Sequence, residues 1–100
     1  MNKLILTAMI AVLAGVPALA SQELAQKKNC MVCHAIDRKV VGPAYRDVAK
    51  KYTTQDVAAK LTQKIKQGGS GVWGAVPMPA NTQVTDSEAK QLATWVLSIK

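Results

Sequence analysis

Apolar positions recur at helical spacing in four stretches of the chain, and no stretch shows the strict alternation of a half-buried strand. The first predicted helix takes Ser21 as its N-cap and runs to about Cys33. Leu24 and Ala25 begin its apolar face, and Cys30 and Cys33 continue it. A short second helix is predicted from Pro43, whose missing N–H costs nothing in a first turn, to about Lys51. The third spans about Thr54 to Gln67. Val57, Ala58, Leu61 and Ile65 form its inner stripe, and Gly68-Gly69 stops it. The fourth opens on Thr85-Asp86-Ser87-Glu88, a capping box, and then places Ala89, Leu92, Ala93, Val96 and Ile99 at helical spacing with Trp95 beside them. Between the last two lies "GGSGVWGAVPMPANTQV", whose four glycines, two prolines and one Asn predict no regular element. A loop this long in a small domain is usually functional. The expected fold class is all-α.

The N-terminus shortens the chain that must fold. "MNKLILTAMIAVLAGVPALA" has one cation at Lys3, an apolar run from Leu4 to Val16 and a closing Ala18-Leu19-Ala20. These are the three parts of a secretory signal peptide, and the run is short for a membrane-spanning helix. Cleavage after Ala20 is expected, so that residues 1–20 are a signal and residues 21–100 form one domain of 80 residues. The mature chain is then exported, without stable membrane insertion, and the Lys-poor leader favours a bacterial periplasm. A core of that size is thin and wants a staple. With no Phe, two Trp and two Tyr, the chain lacks the large side chains to fill its own middle.

Charge narrows the partners. The mature chain carries 12 Lys and Arg against 6 Asp and Glu, a net of +6. Basic charge can serve nucleic acid, an anionic membrane or an acidic protein. Export argues against nucleic acid, and no segment interleaves Arg with aromatics for strand stacking. An acidic protein partner fits best.

Both cysteines and the single histidine fall within "CMVCH", Cys30 to His34. On a helical turn the three share one face. A disulfide at this spacing closes a tiny loop and stabilises little. A thioredoxin-like pair wants a βαβ context, zinc wants a fourth ligand, and blue copper wants a second His. C-x-x-C-H is the c-type haem attachment signature, and it is the reading the residues favour. Each thiol adds to a vinyl group, and His34 reaches the iron. For the sixth ligand Met31 is tethered between the cysteines, whereas Met78 lies 44 positions beyond His34. Pro77 and Pro79 flank Met78 and stiffen its backbone.

The chain resembles the short bacterial class I monohaem cytochromes c of the cytochrome c-551/c-552 type. The likeness rests on "CMVCHAID", "VVGPAYRDVAKKY", "KIKQGGSGVWGAVPMPAN" and "ATWVLSIK", and covers essentially all of residues 21–100. It implies the small class I fold, about four helices wrapped around one covalently attached haem c. It implies that the Pro43 carbonyl receives the His34 ring N–H, that Trp73 donates to a haem propionate, and that Asn81 holds the Met78 sulfur. Lys64 would place a cation near a propionate. Trp95 would pack the last helix on the first.

These features describe an electron carrier and not an enzyme. His34 and Met78 as metal ligands leave no open iron position, and a thioether ligand raises the potential. Lysines including Lys27, Lys28, Lys39 and Lys51 would steer it to acidic redox proteins such as reductases, a peroxidase, an oxidase or a cytochrome bc-type donor. A monomer is expected. One alternative is a small peroxidase-like haem enzyme with a displaceable Met78, although the loop offers no distal catalytic His or Arg. Another is a domain cut from a larger redox enzyme, which the leader and the capped last helix argue against.

Overall fold

A computed structural model describes residues 18–53 and 56–100. Of the expected leader, residues 1–20, residues 1–17 lie outside the described residues, and Ala18–Ala20 fall in the first helix. The chain runs α1 (Ala18–Lys27), a 3-10 turn (Cys30–Val32), α2 (Tyr45–Lys51), α3 (Ala58–Gln67), β1 (Gly69–Gly71), β2 (Gly74–Met78) and α4 (Asp86–Ser98).

The four helices are where the apolar periodicity put them, with shifted ends. With Ala18–Ala20 still ahead of it, Ser21 lies inside α1 and does not cap it; it is buried, and its hydroxyl accepts from Gln91 Nε2 at 3.4 Å. Nor does α1 reach Cys33. It ends at Lys27, and Asn29 adopts the left-handed conformation with φ of 69°. Asn tolerates that conformation better than most residues, so it turns the chain and restarts it as a separate turn. Pro43 precedes α2 by two positions, and Ala44 is the N-cap. Gly68 closes α3 at φ 74°, a conformation that suits a residue without Cβ.

The last helix follows the local rules most closely. Thr85 Oγ1 accepts from the Glu88 N–H at 3.1 Å, and Glu88 Oε1 accepts from the Thr85 N–H at 3.0 Å. This reciprocal pair satisfies donors a helix start leaves open. α1, α2 and α3 all pack on α4. Its Ala89, Leu92, Trp95 and Val96 join Ala25, Tyr45, Val48 and Val84 in the core. Trp95 meets Tyr45 of α2 edge to face, with centroids 5.5 Å apart and planes at 78°. Its ring therefore fastens α4 to α2; the resemblance implied packing of α4 on the first helix, and α1 does pack on α4. Six of the thirteen buried apolar residues are alanines, so the helices approach closely around little bulk.

The expectation of no strand is overturned. Residues 69–78 form a two-stranded antiparallel hairpin, pairing Gly69 with Met78 and Gly71 with Gly74 and containing an irregularity between. Gly69, Gly71 and Gly74 have positive φ, which lets the backbone bend into this pairing. Nearly every hairpin residue is exposed. An isolated two-stranded hairpin is marginal in water, so this one wants something to pack on.

Candidate cofactor site

A cavity of about 370 Å³ lies between the Cys30–His34 segment, the start of α2, one face of α3, the hairpin and α4. Seven predicted site residues border it: Cys30, Cys33, His34, Pro43, Lys64, Trp73 and Met78. Asn81 does not. The hairpin turns apolar side chains to its rim: Val72, Trp73 and Val76 are 55%, 43% and 64% exposed. Contiguous exposed apolar groups around a concavity mark a binding site.

The left-handed Asn29 starts the wall. Beyond it Cys33 and His34 both donate their backbone N–H to the Cys30 carbonyl, at 3.2 and 3.1 Å. One helical turn thus presents both thiols and the imidazole together, as their spacing predicts. The thiols are free. Burial pushes the Cys30 thiol up, and the Tyr45 hydroxyl partly offsets this. Burial likewise pushes the Tyr45 hydroxyl up, with Cys30 and Cys33 adding to the effect.

The imidazole is held on three sides. His34 Nδ1 lies 2.8 Å from the Pro43 carbonyl oxygen, the contact the resemblance implies. A carbonyl can only accept, so the Nδ1 proton is donated there and Nε2 keeps its lone pair for a metal. The Tyr45 ring stacks on the imidazole at 4.7 Å and 21°. On Gly42 a Cβ would stand 2.5 Å from His34 Cε1. Gly42 and Tyr45 are therefore site residues that sequence reasoning missed. Both lie inside the quoted "VVGPAYRDVAKKY", but only the folded chain shows what they touch.

The opposite part of the site hangs on α3. Gly68 ends that helix against the Met78 carbonyl, with no room for a side chain. Lys64 lays its ammonium over Gly69, in the space a Cβ would take, so its charge stands at the cavity wall. Lys51 Nζ lies 5.6 Å from the Trp73 centroid and 5.8 Å from that of Tyr52, within cation–π range. Asn81 takes a supporting position. Its backbone N–H and its Nδ2 both donate to the Ile65 carbonyl, at 3.1 and 2.9 Å, tying the segment after Met78 to α3.

The lysines expected to steer partners are not equivalent. Lys39 and Lys64 border the cavity, and Asp47 stands with them. Lys28 is engaged instead, 3.4 Å from Glu88 Oε1 and 3.2 Å from the Gln83 carbonyl.

The donor set fits a covalently held haem. Two free thiols, a pre-oriented imidazole and a thioether border one apolar cavity, with cations at its edge. Comparison with known proteins agrees. The family described as Cytochrome c matches residues 18–100. The chain is 56% identical over 101 residues to cytochrome c-552 of Hydrogenobacter thermophilus, covering 100% of both. It is 58% identical over 78 residues to cytochrome c-551 of Pseudomonas aeruginosa, covering 77% of this chain and 74% of that one. The crystal structure of wild-type Nitrosomonas europaea cytochrome c552 aligns with a TM-score of 0.77 and 52% identity, over 79% of this chain and 99% of that one.

Proposed function

The chain belongs to the cytochrome c family, as a small haem electron carrier with one haem c attached through Cys30 and Cys33, and from that premise we propose that it works in the periplasm with His34 and Met78 as the axial ligands. One observation carries this reading: among the described residues, the thiols, the imidazole and the only other soft donor of the cavity wall, the Met78 thioether, border the same cavity. When bound, the haem supplies a one-electron iron couple, whose potential a thioether ligand raises.

The protein's own residues set the terms. Pro43 fixes the His34 tautomer, orients the ring and raises its basicity. Gly42 and Tyr45 stop it from turning. Trp73 and Lys64 both border the cavity and would meet the propionates. Asn81 uses one amide hydrogen on Ile65, and its second is available to the Met78 sulfur. Held by Pro43, Gly42 and Tyr45 on one side and by the Asn81 tie to α3 on the other, His34 and Met78 would keep reorganisation between redox states small. No helix among the described residues is long and apolar enough to cross a membrane. Cleavage after Ala20 would release the chain at Ser21, and its partners would be acidic redox proteins, met as a monomer through brief contacts.

The test is Met78→Ala in the haem-loaded protein. Haem should remain attached, since attachment uses Cys30, Cys33 and His34. The potential should fall, and the ferrous form should bind carbon monoxide where the native protein does not. A low-spin spectrum unchanged by the substitution excludes Met78 as ligand. Peroxide turnover by the native protein would favour the peroxidase-like alternative. Mass spectrometry of the periplasmic fraction should give a chain starting at Ser21 plus one haem.

A further inference from the structure

Three hydrogen bonds meet at Gln83, a residue on no element and outside the cavity wall. Its Nε2 donates to the Lys28 carbonyl at 3.0 Å and to Asn81 Oδ1 at 3.1 Å. Its own carbonyl accepts from Lys28 Nζ at 3.2 Å. Both Nε2 hydrogens are used, so the Gln83 amide has one orientation. The Asn81 amide has one orientation too. Its Oδ1 faces a donor and its Nδ2 faces the Ile65 carbonyl, and a flip would set like against like at both ends.

The positions of these partners give the contacts their meaning. Lys28 follows the last residue of α1 and precedes Cys30 by two residues. Its carbonyl is one that a helix end leaves without an intrahelical partner. Asn81 follows Met78 by three residues. Gln83 therefore ties the segment of the first attachment cysteine to the segment of the thioether, separately from the tie that Asn81 makes to α3. We propose that Gln83 is a positioning residue for the Met78 loop, acting through the Asn81 amide and the end of α1. This rests on the reading that Met78 is the axial ligand, and two measurements keep the two ideas apart.

The first measurement is hydrogen exchange by NMR on the haem-loaded protein, read at the Asn81 backbone and side-chain amides. Gln83→Ala should speed it about fivefold, the factor one net hydrogen bond is worth. Gln83→Glu, which keeps the size and loses both donors, should do at least as much. The second is the rate at which imidazole displaces Met78 from the ferric protein, which should rise by a similar factor. Asn81→Ala should raise that rate too, and the double variant should show less than the sum of the single effects, because both act on one amide. Unchanged Asn81 exchange in Gln83→Ala overturns the proposal, as does native behaviour in Gln83→Glu. Faster exchange with an unchanged imidazole rate also overturns it, since the contact would then exist without positioning Met78. If Met78→Ala and the native protein take up imidazole equally fast, the ligand assignment is what fails, and the exchange arm still decides the role of Gln83.

Discussion

The His34 imidazole rests on the backbone of Gly42, so closely that a methyl group there would stand 2.5 Å from Cε1, 3.0 Å from Nδ1 and 3.1 Å from Nε2. Tyr45 covers the ring at 4.7 Å and is itself backed by Trp95. With Tyr45 stacked on the ring and the Pro43 carbonyl on Nδ1, a new methyl must displace a ring that already has two partners. Gly42→Ala should therefore move the imidazole off its Pro43 bond. The expected loss is about 1–3 kcal/mol, the usual cost of overpacking. The low-spin spectrum should also change, which a purely structural loss would not require. Thermal melting and visible absorption of the variant measure both.

Gly68 is the second position where a side chain has no place, for a different reason. Its φ of 74° is strained for any residue with a Cβ, and that Cβ would run into the backbone of Met78, Pro79 and Ala80. Gly68→Ala should cost more than the roughly 1 kcal/mol typical of an unsuited backbone conformation, because the clash is with main chain and cannot be relieved by a rotamer change. It should also loosen the Met78 loop. Chemical denaturation gives the stability change, and faster ligand displacement from the ferric iron reports the loop. A variant as stable as the native protein would mean the chain can route differently around α3.

The capping box of α4 offers a cleaner measure. Thr85→Ala removes the acceptor for the Glu88 N–H and should cost about 1 kcal/mol. In a domain of this size that is a fall of roughly 4–8 °C in melting temperature. Glu88 adds a pH dependence. Hydrogen bonding from the Thr85 backbone N–H, with help from Lys28, holds its carboxyl below the usual carboxylate range. The folded value lies below the unfolded one, so this contribution is present above the unfolded value and fades as pH falls through the folded one. Glu88→Gln should flatten the acid limb of the melting profile and leave the neutral side lower but level.

The same box shows which features are legible in the sequence. Thr85 and Glu88 are three residues apart, and their pairing needs no knowledge of the rest of the fold. Cys30, Cys33 and His34 are legible for the same reason, being neighbours on one turn. The hairpin is not. Its strands are rich in glycine and carry no alternation, because what they border is the cavity and not a packed protein core. The end of α1 escapes the periodicity because Asn29 continues a helical pattern while its backbone leaves it. Gly42 and Tyr45 escape it because their role depends on contacts that a linear spacing does not encode. Lys28 reads as a free cation until Glu88 and Gln83 are brought beside it.

The pairing of Lys28 bears on association. With Lys28 engaged by Glu88 and Lys66 by Asp86, any steering of an acidic partner would fall to exposed lysines such as Lys27 and Lys39. Lys39 also borders the cavity, whereas Lys90 does not. The second-order electron-transfer rate to an acidic redox partner should fall as salt is raised, since exposed charges are screened within about 10 Å at 0.1 M. Lys39→Gln should lower the low-salt rate more than Lys90→Gln. Equal effects of the two would assign steering to net charge alone.

Folding itself should depend on the cofactor. The buried apolar set is small and nearly half alanine, and the residues that would enlarge it are spread around the cavity instead. The hairpin that carries Met78 is exposed on almost every residue and has no sheet to join among the described residues. Haem would give these surfaces a common apolar partner. With the proposed axial ligands it would also link His34 to Met78, closing a loop of roughly 45 residues, a constraint on the unfolded chain of about 3–4 kcal/mol by analogy with a disulfide. A domain of this kind holds only about 5–15 kcal/mol in total. Removing the apolar partner and the cross-link together should leave no stable fold. The Cys30→Ala/Cys33→Ala chain, prepared without haem, is therefore expected to be largely disordered, despite the capping box of α4 and the amphipathic stripe of α3. Far-UV circular dichroism with a thermal melt is the measurement. Low helicity without a cooperative transition is the expected outcome. Native-like helicity that melts cooperatively would mean that α4 and its three partner helices suffice as a core, and that the haem occupies a fold it does not build.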